Sequence, residues 1–106
     1  MMQFEVGRCV CCQRARATDD AHWPVAKGMG GRSKAEDARL PRLPLCHECH
    51  MAEHKYVNVR ERLIEVAPEY WRWVGKWDEN REVFETWLSG LRLKQQFMEA
   101  QKARTI

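Results

Sequence analysis

Apolar residues first alternate weakly, at Phe4 and Val6, a pattern that predicts a short strand leading into Cys9. The next apolar stretch, "DDAHWPV" (19–25), reads as a second short strand stopped by Pro24. "KGMGGRSK" (27–34) holds three glycines in four positions and is expected to be a loop. "AEDARL" (35–40) is either a short helical turn or irregular. Pro41 and Pro44 bracket another extended piece, "RLPLC". After it the period changes from two to about 3.6. "HMAEHKYVNV" reads as a helix. Val59, Leu63 and Val66 fall at helical spacing, as do Val83, Trp87 and Leu91, accompanied by Phe84, Leu88 and Phe97. Pro68 is expected to open a helix carrying Tyr70, Trp71, Val74 and Trp77, and Asp78 to cap the next one. Gly90 weakens that last helix by about 1 kcal/mol relative to alanine. The pattern therefore predicts an α+β chain: short strands in the first half, then two or three amphipathic helices. Trp71, Trp73, Trp77 and Trp87 have the spacing of core residues, although exposed tryptophans would stack on bases.

Length adds a bound. A chain of 106 residues is one domain on the usual prior and buries a modest core, so a metal staple would help it fold. No apolar run approaches the ~18 residues needed to cross a membrane, and "MMQFEVGRC" has no apolar signal core, so no membrane partner and a cytoplasmic location are expected. Net charge is +3. It is concentrated between Cys12 and Cys46, where Arg14, Arg16, Lys27, Arg32, Lys34, Arg39 and Arg42 face only Asp19, Asp20, Glu36 and Asp37. The remainder is neutral. A basic segment of this kind suits contacts to phosphate, or simply solvates a loop.

The five cysteines fall in two clusters, "CVCC" (9–12) and "CHEC" (46–49). In a cytosolic chain they argue for metal rather than disulfides. Each contains Cys-x-x-Cys, and two such turns brought together make a tetrahedral thiolate site, with zinc the expected ion. Cys9, Cys12, Cys46 and Cys49 are the expected ligands and Cys11 is the spare; Cys9 with Cys11 is the less common alternative. Histidines crowd the second cluster: "LCHECHMAEH" holds His47, His50 and His54. "HMAEH" fits the His-x-x-Glu-His of an inverted zinc-protease helix. That enzyme requires a third, distant ligand and a substrate cleft, and His50 directly follows an expected zinc cysteine. The protease reading is set aside.

The order "CVCC", "DAHWPVAKGMGG", "LPLCHECHMAEH" resembles the HNH endonucleases, also called His-Me finger or ββα-metal nucleases. The finer pattern, Ala-His, Gly-Met-Gly, a basic residue and Asp, then Cys-x-x-Cys-His, is similar to small phage- and prophage-borne nucleases of unassigned function. The resemblance covers residues 9–55 and leaves 56–106 as a helical extension of the same single domain. It implies a zinc-stapled ββα-metal core and a metal-dependent DNA endonuclease linked to recombination, repair or packaging. His22 corresponds to the general base. His50 corresponds to the helix ligand of a catalytic Mg2+ or Mn2+, with His54, one turn on, as a second ligand. Lys27, Arg32 and Lys34 would contact phosphate, and glycines 28, 30 and 31 would let DNA approach the backbone. Many HNH enzymes carry Asp or His just before the base, where this chain has Ala21, so Asp20 or Asp37 would complete the ligand set. Asp37 also stands in for the Asn that usually supports the base. The expected partner is duplex or branched DNA, with a homodimer through the C-terminal helices possible on this reading. The alternative is a zinc-dependent DNA-binding module, or an adaptor, that does not cut.

Overall fold

A computed structural model describes residues 4–25 and 39–104. Lys27, glycines 28, 30 and 31, Arg32, Lys34 and Asp37 lie outside the described residues. Among the described residues the elements run β1 (Asp19–His22), β2 (Arg42–Leu45), α1 (His47–Lys55), α2 (Val57–Val74) and α3 (Trp77–Arg104). This is a small α+β architecture with one two-stranded antiparallel sheet and three helices. No described helix is long and apolar enough to cross a membrane.

The register pairs Asp19 with Leu45, Asp20 with Pro44, Ala21 with Leu43 and His22 with Arg42. Ala21, Leu43 and Leu45 are buried, while Asp20 and Arg42 of the other face are exposed and joined by a 2.9 Å ion pair. Strand alternation explains this split. Both prolines fit the short ladder. Pro44 needs no donor of its own, and its carbonyl accepts the Val10 N–H at 3.0 Å. The Leu45 carbonyl takes the Thr18 N–H at 3.1 Å, and Pro41 that of Trp23 at 3.1 Å. These bonds extend the sheet at both ends and tie the first cysteine turn to β2.

Among the described residues 4–8 the expected N-terminal strand does not form. Val6 is 92% exposed, and the chain turns at Gly7 (φ +86°) into a single bridge between Arg8 and Arg16. Two alternating apolar residues with no partner strand cannot compete with that turn.

The helical half differs in detail from the expectation at Pro68, which lies inside α2 rather than at a helix start. An interior proline costs ~3 kcal/mol. Burial of Leu63, Val66, Ala67 and Trp71 on one face of α2 offsets it. Two polar ties help: Arg62 Nε donates to the Cys11 carbonyl at 2.6 Å, and Trp71 Nε1 to the Arg42 carbonyl at 3.1 Å. Gly75 closes α2. Its φ of +77° allows a Schellman turn in which Lys76 N–H reaches the Trp71 carbonyl at 2.7 Å and Gly75 N–H the Arg72 carbonyl at 3.3 Å. α3 then begins at Trp77, placing Asp78 and Glu79 in its first turn, where acidic groups suit the helix dipole.

The core lies between the sheet and the faces of α2 and α3. Trp23 is its hub, with ring centroids 6.1 Å from Trp71, 5.9 Å from Phe84 and 5.2 Å from Trp87. Trp77 and Trp87 are half-buried against it, and Trp73 is exposed. The expectation of core tryptophans therefore holds for Trp71 outright, for Trp77 and Trp87 in part, and not for Trp73.

Candidate metal centre and the histidine cluster beside it

The first cysteine turn is built by Cys9 N–H donating to the Ala15 carbonyl and Gln13 N–H to the Cys9 carbonyl, both at 2.9 Å, with Gln13 at φ +60°. The second is the entry to α1. Cys46 occupies the N-cap position, and its carbonyl accepts the His50 N–H at 2.9 Å. Hydrogen bonds from Val10 to Pro44 and Thr18 to Leu45 bring the two turns face to face.

The result is one cluster. The sulfurs of Cys9, Cys12, Cys46 and Cys49 all lie within 4.8 Å of one another. Four thiolates at ~2.3 Å from one ion have sulfur–sulfur edges of about 3.8 Å, so a small contraction suffices to hold a metal ion such as zinc. All five cysteines are free thiols. Cys11 is buried outside this set, which favours the Cys9–Cys12 pairing over Cys9–Cys11.

The thiols are not equivalent. Burial pushes Cys12 up, but N–H groups of Ala15 and Arg14 and the thiols of Cys9 and Cys49 outweigh it and bring the group down to about 7. Burial first, and then the neighbouring Cys46, raises Cys49 well above the ordinary thiol range; burial also raises Cys46 and Cys11. Four crowded thiols resist collective ionisation, and a bound cation removes that resistance.

Beside the cysteines is a cluster the sequence did not disclose. Asp19 Oδ2 lies 2.8 Å from His50 Nδ1 and 3.1 Å from His47 Nδ1. An ionised carboxylate can only accept, so both rings donate from Nδ1 and each neutral ring keeps Nε2 free as an acceptor or ligand. These bonds, His50 first and His47 second, hold the Asp19 carboxyl below the usual carboxylate range. His54 sits a turn further along, its ring centroid 5.6 Å from that of His50 and its Nδ1 3.4 Å from Glu53. Thus Asp19, rather than Asp20, is the acid that meets the helix histidines, since Asp20 pairs with Arg42 on the other face. His47 shares the carboxylate with His50. One available signal was the i, i+3 spacing of His47 and His50, which puts both on one helical face. The role of Asp19 depended on register, which no local pattern reports.

His22 ends β1 opposite Arg42, three residues or about 10 Å along the strand from Asp19. It is half-buried, and its Nε2 is buried with no hydrogen-bond partner among the described residues. His22 and His50 thus lie on β1 and on the helix that follows β2. Near Arg42 opens a cleft of about 720 Å³ whose lining includes Arg39, Arg42, Tyr70, Trp71, Lys76 and Glu79. Of its three cations, Arg42 pairs with Asp20 and Lys76 lies 3.6 Å from Glu79.

No family model, curated protein or solved structure matches this chain.

Proposed function

We propose that the protein is a metal-dependent DNA endonuclease of the HNH, or ββα-metal, type, with zinc in the four-cysteine site. The observation that carries the reading is the 2.8 Å bond from His50 to Asp19, which orients a helix histidine against the first strand of an antiparallel pair. A carboxylate that accepts the Nδ1–H hydrogen bond of an imidazole is the usual support for a metal ligand, because it fixes the tautomer and makes Nε2 more basic. His50 Nε2 would hold a Mg2+ or Mn2+ ion, with His54 adjacent. That ion, when bound, supplies positive charge for the pentacovalent phosphate and the leaving oxygen. His22 takes the proton from the attacking water, a role that suits an imidazole at neutral pH. Arg39, Arg42 and Lys76 bind the flanking phosphates, so affinity falls steeply with salt.

The test is plasmid nicking in Mg2+, Mn2+ or EDTA. Wild type is expected to cut with metal and not with EDTA. His22→Ala is expected to lose about 10²–10⁴-fold in rate while keeping DNA affinity. DNA binding without cutting in any metal sinks the enzyme. The surviving alternative would be a zinc-stapled DNA-binding module or adaptor. One observation favours that second reading: strand alternation puts His22 and Asp19 on opposite faces of β1.

A further inference from the structure

α3 is 28 residues, about 42 Å, long, and only its first half belongs to the core. From Arg92 to Ala100 every residue is exposed, including Leu93 at 66%, Phe97 at 63% and Met98 at 57%. A helical stretch of this length, preceded by Gly90, is marginal in water on its own. The same helix carries a second apolar feature. Beside its first half is an open groove of about 400 Å³, lined by Val25, Leu40, Glu82, Val83, Thr86 and Trp87. At 100° per residue, Val83, Thr86, Gly90, Leu93 and Phe97 fall within about 80° of one another, away from the core-facing Phe84 and Leu88.

We propose that two copies of the chain pair through antiparallel α3 helices crossing at Gly90. Three observations select a second copy as the occupant. The helix is self-complementary in charge: residues 77–89 carry four acidic side chains and one basic, net −3, and residues 90–104 carry four basic and one acidic, net +3. Antiparallel pairing sets each half on its opposite, whereas parallel pairing sets like on like. A two-fold axis at Gly90 also places Phe97 opposite the partner's Val83 and Leu93 opposite the partner's Trp87, so exposed knobs on one half meet the groove on the other. Glu85 then lies nearly level with the partner's Lys94. Finally, a Cβ built on Gly90 meets nothing within 4 Å in the chain itself, so the missing side chain serves no packing within one copy and permits close approach of two helices. The contact is isologous, as a two-fold dimer requires.

Sedimentation equilibrium and light scattering on the full, zinc-loaded chain test the pairing. Wild type should form dimers in a concentration-dependent way from about 1 to 200 μM, more weakly at 1 M salt. Gly90→Leu should raise helix content yet weaken the dimer at least tenfold, because its new side chain sits at the crossing. Phe97→Asp should give a monomer with an unchanged melting transition. Glu82→Lys/Glu85→Lys and Arg92→Glu/Lys94→Glu should each be monomeric alone and should form a mixed dimer when combined. A wild type that stays monomeric to 200 μM overturns the proposal. So does a dimer that survives both Gly90→Leu and Phe97→Asp, or a pair of charge variants that do not associate on mixing.

Discussion

Asp19 ties α1 to β1 with one carboxylate and two imidazole donors. Its carboxyl is held below the usual range, so its contribution to stability is fully present above the ordinary carboxylate value of ~4 and is lost as pH falls through the lower folded value. Acid titration of the apo protein followed by far-UV circular dichroism should show this loss, and Asp19→Asn should remove that part of the pH dependence. The same substitution leaves His50 without an anionic acceptor. If His50 holds a divalent ion, Mn2+ affinity should drop about 10–100-fold in Asp19→Asn while the zinc content stays constant. Unchanged Mn2+ binding would show that Asp19 is only a structural acceptor. The neighbouring Ala21 clarifies why the strand ligand was hard to place from sequence. It occupies the position where a ligand was expected, but its side chain is buried with Leu43 and Leu45. The acid two residues earlier shares its face and reaches the helix.

At the scale of elements, the cysteine turns, β1, β2 and the entry to α1 were legible because short-range chemistry specifies each of them. Paired Cys-x-x-Cys spacings, a proline-bounded extended run and a helix opening directly after a cysteine need little help from elsewhere. The N-terminal strand and the Pro68 helix start were misread for the opposite reason. A strand needs a partner, and a proline is tolerated inside a helix when buried neighbours hold the flanking turns. Pro68→Ala tests that account. It restores an N–H for the Ile64 carbonyl and removes ring strain, a gain of up to ~3 kcal/mol, reduced by up to ~1 kcal/mol from the freer unfolded chain. A net stabilisation of about 2 kcal/mol should appear as a higher melting temperature. A lower one would mean that the Pro68 ring, half-buried against its neighbours, contributes more by packing than it costs. Trp23 is a further case. It follows the expected base in sequence and would pass as part of a site, yet its ring centres the aromatic core. That role arises only when α2 and α3 fold back on the sheet.

For the molecule as a whole, the four-cysteine cluster joins two segments that are distant in sequence. Cys9 and Cys12 come from an irregular N-terminal turn, Cys46 and Cys49 from the start of α1, and α1 itself has no buried residue. The two-stranded sheet is too small to fold alone. A bound zinc would therefore contribute folding free energy directly and not merely decorate a stable domain. Elemental analysis should find about one zinc per chain. Cys46→Ser should lose the ion together with the cooperative thermal transition, and a strong chelator should do the same to wild type. Cys11→Ala separates ligation from simple thiol burial. Cys11 is buried in the same core but lies outside the ligand set, so this variant should keep its zinc and melt cooperatively, whereas Cys12→Ser should not. Acid should compete with the metal, because thiols raised by burial must give up their protons to bind it. Zinc retention should therefore fall as pH drops below neutrality, and the melting temperature should fall with it. A chain that melts identically with and without zinc at pH 7 would place the stability of the fold in the tryptophan core alone.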